Sequence, residues 1–401
     1  MTPAARVQAA IEVLDAVIEA AKGEGAPADR ILSDYFRARR YAGSKDRRAV
    51  RELVYGAIRS LGPVPGNGRD AMLAYGRADT ANHHVLDLFD GSPHGPAPIE
   101  APVENDGAIE ARPGLAPDWL VAALARSGIA GEAAAALMGR APLDVRVNTL
   151  KADRDTLDLP EKGEPLTAPQ GLRFPAGTRV EEWDAYRDGL VEVQDHGSQL
   201  ACLAAAARPG ETVIDLCAGA GGKSLALAAA MENAGRLVDC DTDKRRLGNL
   251  PPRAARAGAG LVETRLIDPG REIEALGDVA RAADLVLVDA PCSGTGTWRR
   301  KPEAKWRLTP RALDGYAALQ DRLLDMAARL VRPGGRIVFV TCSLLDEEGA
   351  KRIEAFLARH DGFEARGVNL PLGEPRAGGG RLDPFHHGTD GFFVANCLCA
   401  C

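Results

Sequence analysis

The chain has 401 residues, 45% of them hydrophobic and 26% charged, with a formal net charge of −6. That length exceeds one ordinary core and that composition is a soluble, globular one, so two or three domains are expected and a disorder-dominated chain is excluded. A negative net charge argues against gripping nucleic acid over the whole surface, because phosphate binding draws on clustered Lys and Arg, so any such site must be a local basic patch.

The first residues lack the apolar core of a signal peptide, and no apolar run reaches membrane-spanning length, so a cytoplasmic protein with no membrane contact is expected. Eight cysteines without the dense spacing of a secreted framework read as reduced thiols.

Val7, Ile11, Leu14 and Ile18 recur at helical spacing and predict a first helix. A second is announced by Asp46 and carries Val50, Leu53, Val54, Ala57, Ile58 and Leu61, with Arg47, Arg48, Arg51 and Arg59 on its other face. Those arginines suit a solvated helix face as well as an RNA contact. Proline, glycine and acidic residues between Asp90 and Gly114 mark a linker, after which Pro117 opens another helix. Val-Arg-Val-Asn-Thr-Leu-Lys (145–151) alternates like a half-buried strand, with Arg146 and Asn148 on a polar face able to reach a phosphate or a 2′-hydroxyl.

From Glu211 onward, strands and helices alternate, which predicts an α/β fold with a doubly wound parallel sheet. Leu313, Tyr316, Leu319, Leu323, Met326 and Leu330 form a helical stripe between the last two apolar strands. Pro251-Pro252 should end or kink the helix after the second strand. Upstream, Val-Gln-Asp-His-Gly-Ser-Gln-Leu (193–200) reads as a helix start capped by Asp195 or Ser198.

The first strand of this region ends in Asp-Leu-Cys-Ala-Gly-Ala-Gly-Gly-Lys-Ser (215–224), a loop whose glycines let backbone approach a ligand. A phosphate-binding P-loop would need glycine where Cys217 stands, and a dinucleotide loop would need glycine where Ser224 stands. S-adenosylmethionine fits better. The second strand ends at Asp241, 22 residues after Gly219 (241 − 219), where a carboxylate binds ribose hydroxyls; Asp239 is the neighbouring candidate and alternation turns it to the other face.

Two thiols follow apolar strands: Cys292 in Asp-Ala-Pro-Cys-Ser-Gly-Thr-Gly (289–296) and Cys342 in Thr-Cys-Ser (341–343), 50 residues apart (342 − 292). One free cysteine is usually a small buried hydrophobe; two at the carboxyl edge of an open sheet suggest covalent chemistry. Amino methyltransferases use an aromatic residue where Cys292 stands, so this loop favours carbon methylation. Which thiol attacks is open on chemistry alone. The loop 297–311 carries six basic residues and one acid with Trp298 and Trp306 interleaved, a composition suited to phosphates and an unstacked base.

These motifs resemble the RNA cytosine-5 methyltransferases, and within them the bacterial RsmB/NOP type (Sun/Fmu, NSUN-like) that modifies ribosomal RNA. The resemblance runs from Val145 to Phe393 and implies a class I, Rossmann-like methyltransferase domain over 193–401. Ahead of it the resemblance implies an antitermination-factor-like, all-α RNA-binding domain over 1–88, a linker over 89–115 and a small α+β RNA-contacting subdomain over 116–192.

The resemblance assigns attack on carbon 6 to Cys342, enzyme release to Cys292, and contact with both cofactor and base to Asp289. It assigns the cofactor to Cys217, Ala218, Gly219, Ala220, Gly221, Gly222, Lys223, Asp241 and Asp268. Arg146, Asn148, Arg299, Arg300 and Lys301 are the expected RNA contacts. The expected protein is a monomer without a metal, acting on small-subunit ribosomal RNA. Transfer RNA as substrate and a non-catalytic ribosome-assembly factor are the rivals. Cys397, Cys399 and Cys401 alternate along one strand and cannot readily close a tetrahedral metal site. His386-His387 reads as surface or substrate-side.

Overall fold

The computed structural model describes residues 1–23, 25–99, 111–368 and 370–400, so the middle of the expected linker and Cys401 lie outside the described residues. Two compact units are formed: Met1–Gly139 with Thr297–Thr309, and Arg140–Gly296 with Pro310–Cys401.

In the first unit α1 (Pro3–Lys22), α2 (Ala28–Ala38), α3 (Ser44–Ser60) and α4 (Gly68–Ala78) bury one apolar stripe each. Val7, Ile11, Leu14 and Ile18 are all in that core, as the helical spacing predicts. Thr2 caps α1 by accepting from the Ala5 amide at 3.1 Å, and Pro3 fills the first turn, where its missing N–H costs nothing.

Residues 297–309, drawn by position into the catalytic domain, pack instead into this helical core. Trp306 is buried in it and donates to the Gly62 carbonyl at 3.2 Å. Arg307 donates to the carbonyls of Ala20, Gly25 and Ala26, and the Lys305 ammonium to that of Leu115 at 2.8 Å. Helices α5 (Asp118–Arg126) and α6 (Gly131–Ala135) also belong to the first unit, so the expected subdomain over 116–192 is divided between the two.

The second unit holds two sheets. Strands β1 (Leu143–Val147), β2 (Glu164–Pro165), β3 (Gly171–Phe174) and β4 (Val191–Val193) form an antiparallel sheet in the order β2-β3-β1-β4. The larger sheet comprises β5 (Thr212–Asp215), β6 (Arg236–Asp241), β7 (Val262–Leu266), β8 (Ala283–Asp289), β9 (Val331–Thr341), β10 (Phe363–Arg366), β11 (Glu374–Arg376), β12 (Gly379–Leu382) and β13 (Phe392–Cys399). Its order is β11-β12-β13-β9-β8-β5-β6-β7, with β10 also paired to β13.

Strands β5 to β9 run parallel and β13 is antiparallel to β9, the doubly wound arrangement predicted from the alternating pattern. The chain crosses from β5 to β6 on one side and returns to β8 on the other. Ligands bind outside the carboxyl ends of the strands at such a switch point.

The stripe predicted between the cysteine strands is one helix, Pro310–Leu330, with Leu313, Leu323, Met326 and Leu330 buried. After β6 the chain makes two short helices, Lys244–Leu247 and Leu250–Ala257. Pro251 and Pro252 fall in the first turn of the second, where proline is tolerated, so they restart the helix and do not kink it.

Strand β1 departs from its expected half-buried form: Asp144 through Val147 are all buried. Val145 and Val147 join an apolar cluster with Phe174 and Trp183, while the polar face is covered by the segment that opens helix His196–Ala205. There Asp144 accepts from the His196 amide at 3.1 Å and from both ends of the Arg173 guanidinium.

Candidate active site

The carboxyl ends of β5, β6, β8 and β9 bring the predicted groups together. After β5 the backbone turns through Gly219 (φ +56°) and Gly221 (φ +83°), and a Cβ on Gly221 would lie 2.0 Å from Leu250 Cδ1, so the turn tolerates no side chain there. Gly222 opens helix Gly222–Ala230, and a Cβ on it would meet nothing within 4 Å. This cradle is open beside backbone N–H groups that the first turn of a helix leaves without intrahelical partners.

Asp241 is buried at the end of β6 and fixes the loop: its two carboxylate oxygens accept from the Gly219 amide at 2.8 Å and the Asp243 amide at 2.7 Å. Asp268 is exposed just beyond β7, next to β6 in the sheet. Asp239 points to the other face and is fully buried, with neither carboxylate oxygen hydrogen bonded. Burial, then the charge of Asp215, pushes its pKa well above the carboxylate range. Asp215 is pushed up to about 7 by burial and then by Asp289.

Lys223 Nζ lies 2.7 Å from Asp289 Oδ2 at the end of β8. Burial works against its charge, but the Asp289 carboxylate outweighs that and raises the Lys223 pKa.

β8 and β9 are in register as neighbours, Asp289 opposite Val340, so the loops that follow them leave the sheet side by side. Cys292 Sγ and Cys342 Sγ stand 3.4 Å apart. The thiol of Cys292 is pushed well above its ordinary range, first by its hydrogen bond to Cys342, then by burial, then by the charges of Cys342 and Glu348.

The segment before helix His196–Ala205 abuts the glycine loop. Asp195 caps that helix through the Gly197 amide at 2.8 Å, and Gln194 Nε2 reaches the Gly222 carbonyl at 3.4 Å. Sequence reasoning missed a second tie: Glu192 on β4 holds Arg253, whose Nη1 donates to the Ala220 carbonyl at 2.6 Å. No local motif announces it, because the partners are 61 residues apart (253 − 192).

Three of the five expected RNA contacts are buried. Arg146 donates to Gln194 Oε1 at 2.7 Å, and Asn148 donates to the carbonyls of Gly189 and Ala257 at 2.9 and 2.7 Å. These groups join β1 to the rest of its unit and do not form a solvent-facing polar row. Arg299 is buried as well, and so are Trp298 and Trp306, which removes both indoles from base stacking. Arg300 and Lys301 are exposed.

Cys397 and Cys399 are buried on β13, and among the described residues no group of three or more His, Cys, Asp or Glu is placed to hold a metal. His386 pairs with Asp383 at 2.9 Å on the short helix Pro384–His387. No helix among the described residues is long and apolar enough to cross a membrane.

A doubly wound sheet with an antiparallel last strand, a glycine loop after its first strand and an acidic residue ending its second defines a Rossmann-like methyltransferase. Residues 202–398 match the family model described as 16S rRNA methyltransferase RsmB/F, and this methyltransferase domain belongs to that family.

It is 33% identical over 298 residues to a probable ribosomal RNA small subunit methyltransferase B of Synechocystis, covering 70% of this chain and 66% of the relative. The ribosomal RNA small subunit methyltransferase B of Thermus thermophilus is 40% identical over 206 residues, 51% of this chain and 49% of the relative. The chain thus spans under two thirds of the length of these curated relatives.

Among solved structures, PH0851 superposes with a TM-score of 0.76 at 24% identity, over 99% of both chains. A methyltransferase homolog protein from Pyrococcus horikoshii gives 0.59 at 27% identity, over 70% of this chain and 99% of its own.

Proposed function

We propose that this chain is an S-adenosylmethionine-dependent RNA methyltransferase that acts on carbon 5 of a cytosine in small-subunit ribosomal RNA through a covalent cysteine adduct. The observation that carries the reading is the approach of two thiols to 3.4 Å beside Asp289 and the glycine loop. The names of the curated relatives support ribosomal RNA as the substrate class.

The cradle suits the cofactor: residues 217–223 form its floor, open space lies above Gly222, and Asp241, Asp268 and Asp289 stand at the neighbouring strand ends. When bound there, S-adenosylmethionine supplies an electrophilic methyl group on a sulfonium.

Carbon 5 of cytosine is a poor nucleophile while the ring is aromatic. The Cys342 thiolate adds to carbon 6, a C–S bond forms, and the displaced ring electrons make carbon 5 able to take the methyl group. Asp289, ending β8 beside both the cradle and the Cys292 loop, accepts from the exocyclic amino group and fixes the ring. The proton on carbon 5 then leaves to a base, the C6–S bond breaks, and the double bond re-forms. Cys292 serves that release, and exposed Arg300 and Lys301 contact the RNA backbone.

Bisulfite sequencing of ribosomal and transfer RNA from cells with and without the gene tests the reading. Loss of one 5-methylcytosine in small-subunit ribosomal RNA is expected. Loss confined to transfer RNA would move the substrate, and no loss in either would favour a non-catalytic assembly factor.

A further inference from the structure

Glu348 lies six residues after Cys342 (348 − 342) and has no part in the scheme above, yet it is fully buried between the two cysteine loops. Its Oε1 accepts from the Ser293 amide at 2.8 Å and from Gln320 Nε2 at 3.4 Å, and its Oε2 accepts from the Ser293 hydroxyl. Its main-chain carbonyl accepts from Thr341 Oγ1 at 3.2 Å. One residue therefore grips the neighbour of Cys292 with its side chain and the neighbour of Cys342 with its backbone.

Gln320 completes the clamp by donating to the Pro291 carbonyl at 2.9 Å, on the other side of Cys292. Ser343 joins the loops again, with its hydroxyl 3.3 Å from that of Ser293 and 3.1 Å from that of Thr295. A buried carboxyl group is costly unless its lone pairs are used, and here three donors converge on it. An apolar residue would fill the space more cheaply if only packing were required.

We propose that Glu348 is a positioning residue of the thiol pair, gripping the neighbours of both cysteines so that the two sulfurs stay in hydrogen-bond contact. The inference rests on the cytosine-5 reading for its use, in which one thiol attacks carbon 6 and the other serves release, so the two must be held together. After the hydrogen bond to Cys342, burial and the charge of Cys342, the Glu348 charge also raises the Cys292 pKa.

The test needs no RNA. Alkylation of each cysteine by iodoacetamide, followed across pH by peptide mass spectrometry, is compared between the wild type and Glu348→Gln, which keeps the size and loses the charge. Glu348→Gln is expected to move the Cys292 profile toward acid by about one pH unit, a roughly tenfold faster alkylation at neutral pH, with cofactor binding retained. An unmoved Cys292 profile in a folded variant overturns the proposal.

If Glu348→Gln does not fold, Ser293→Ala and Gln320→Leu loosen the clamp from its other side. Bridging of the two thiols by phenylarsine oxide should then slow several-fold, and wild-type bridging in both variants overturns the proposal. Failure of the cytosine-5 reading would appear separately, as the absence of any cysteine–RNA adduct in the wild type and in Cys292→Ala.

Discussion

The Lys223 ammonium meets the Asp289 carboxylate at 2.7 Å, tying the first turn after the glycine loop to the strand that leads into Cys292. Asp289 keeps 32% of its side chain exposed and Lys223 only 10%, so the carboxylate faces the open side of the site and the lysine lies behind it. Removing the lysine leaves Asp289 beside Asp215 with no cation between them. Lys223→Met is expected to destabilise the protein by about 1–3 kcal/mol, below the cost of breaking a fully buried pair because Asp289 is partly solvated. It is also expected to weaken cofactor binding at least tenfold. Urea unfolding and calorimetric titration check both, and wild-type affinity would separate the pair from the cofactor site.

The two thiols should fail in different ways. Cys342→Ala is expected to bind cofactor and RNA and form no adduct, whereas Cys292→Ala attacks, transfers methyl and stalls as a covalent protein–RNA complex. Denaturing electrophoresis with labelled RNA distinguishes them. An adduct with Cys342→Ala and none with Cys292→Ala would exchange the roles.

Asp215 and Asp239 bind protons more tightly in the folded chain than in the unfolded one. Their contribution to stability is complete below the unfolded carboxylate value and is lost as pH rises through the folded one, which for Asp215 is about 7. Wild-type stability should therefore fall between roughly pH 4 and 7, at up to about 1.4 kcal/mol per pH unit for each proton released. Asp239→Asn should make that fall shallower. Urea midpoints at the two ends of the range decide it: an equal drop in wild type and variant would put the protons elsewhere.

RNA affinity should depend on Arg300 and Lys301 and hardly on Arg146 or Asn148 as direct contacts. Alanine at either exposed residue is expected to lower the slope of log affinity against log salt by roughly one. Alanine at Arg146 or Asn148 should instead lower the unfolding midpoint, because it removes buried hydrogen bonds that hold β1. A changed salt slope for Arg146→Ala with an unchanged midpoint would return that residue to the RNA surface.

Much was legible in the chain because its signals are local. A strand, a glycine loop, a small-residue helix and an acidic strand end follow one another in sequence, so the parallel sheet, the glycine turn after its first strand and the placing of Asp241 and Asp239 on opposite faces needed only periodicity and spacing. The cysteine strands were equally plain, since each apolar run stops at a polar loop. Only the tertiary structure decided which polar residues remained available. Arg146, Asn148 and Arg299 sit in patterns that look solvent-facing, yet all three are buried, the first two against Gln194 and the Gly189 and Ala257 carbonyls. Periodicity reports which residues share a face and carries no information about what a distant segment lays over that face. The same limit hid Glu348, whose partners Ser293 and Gln320 lie 55 and 28 residues away and meet it only because β8 and β9 are neighbours in the sheet.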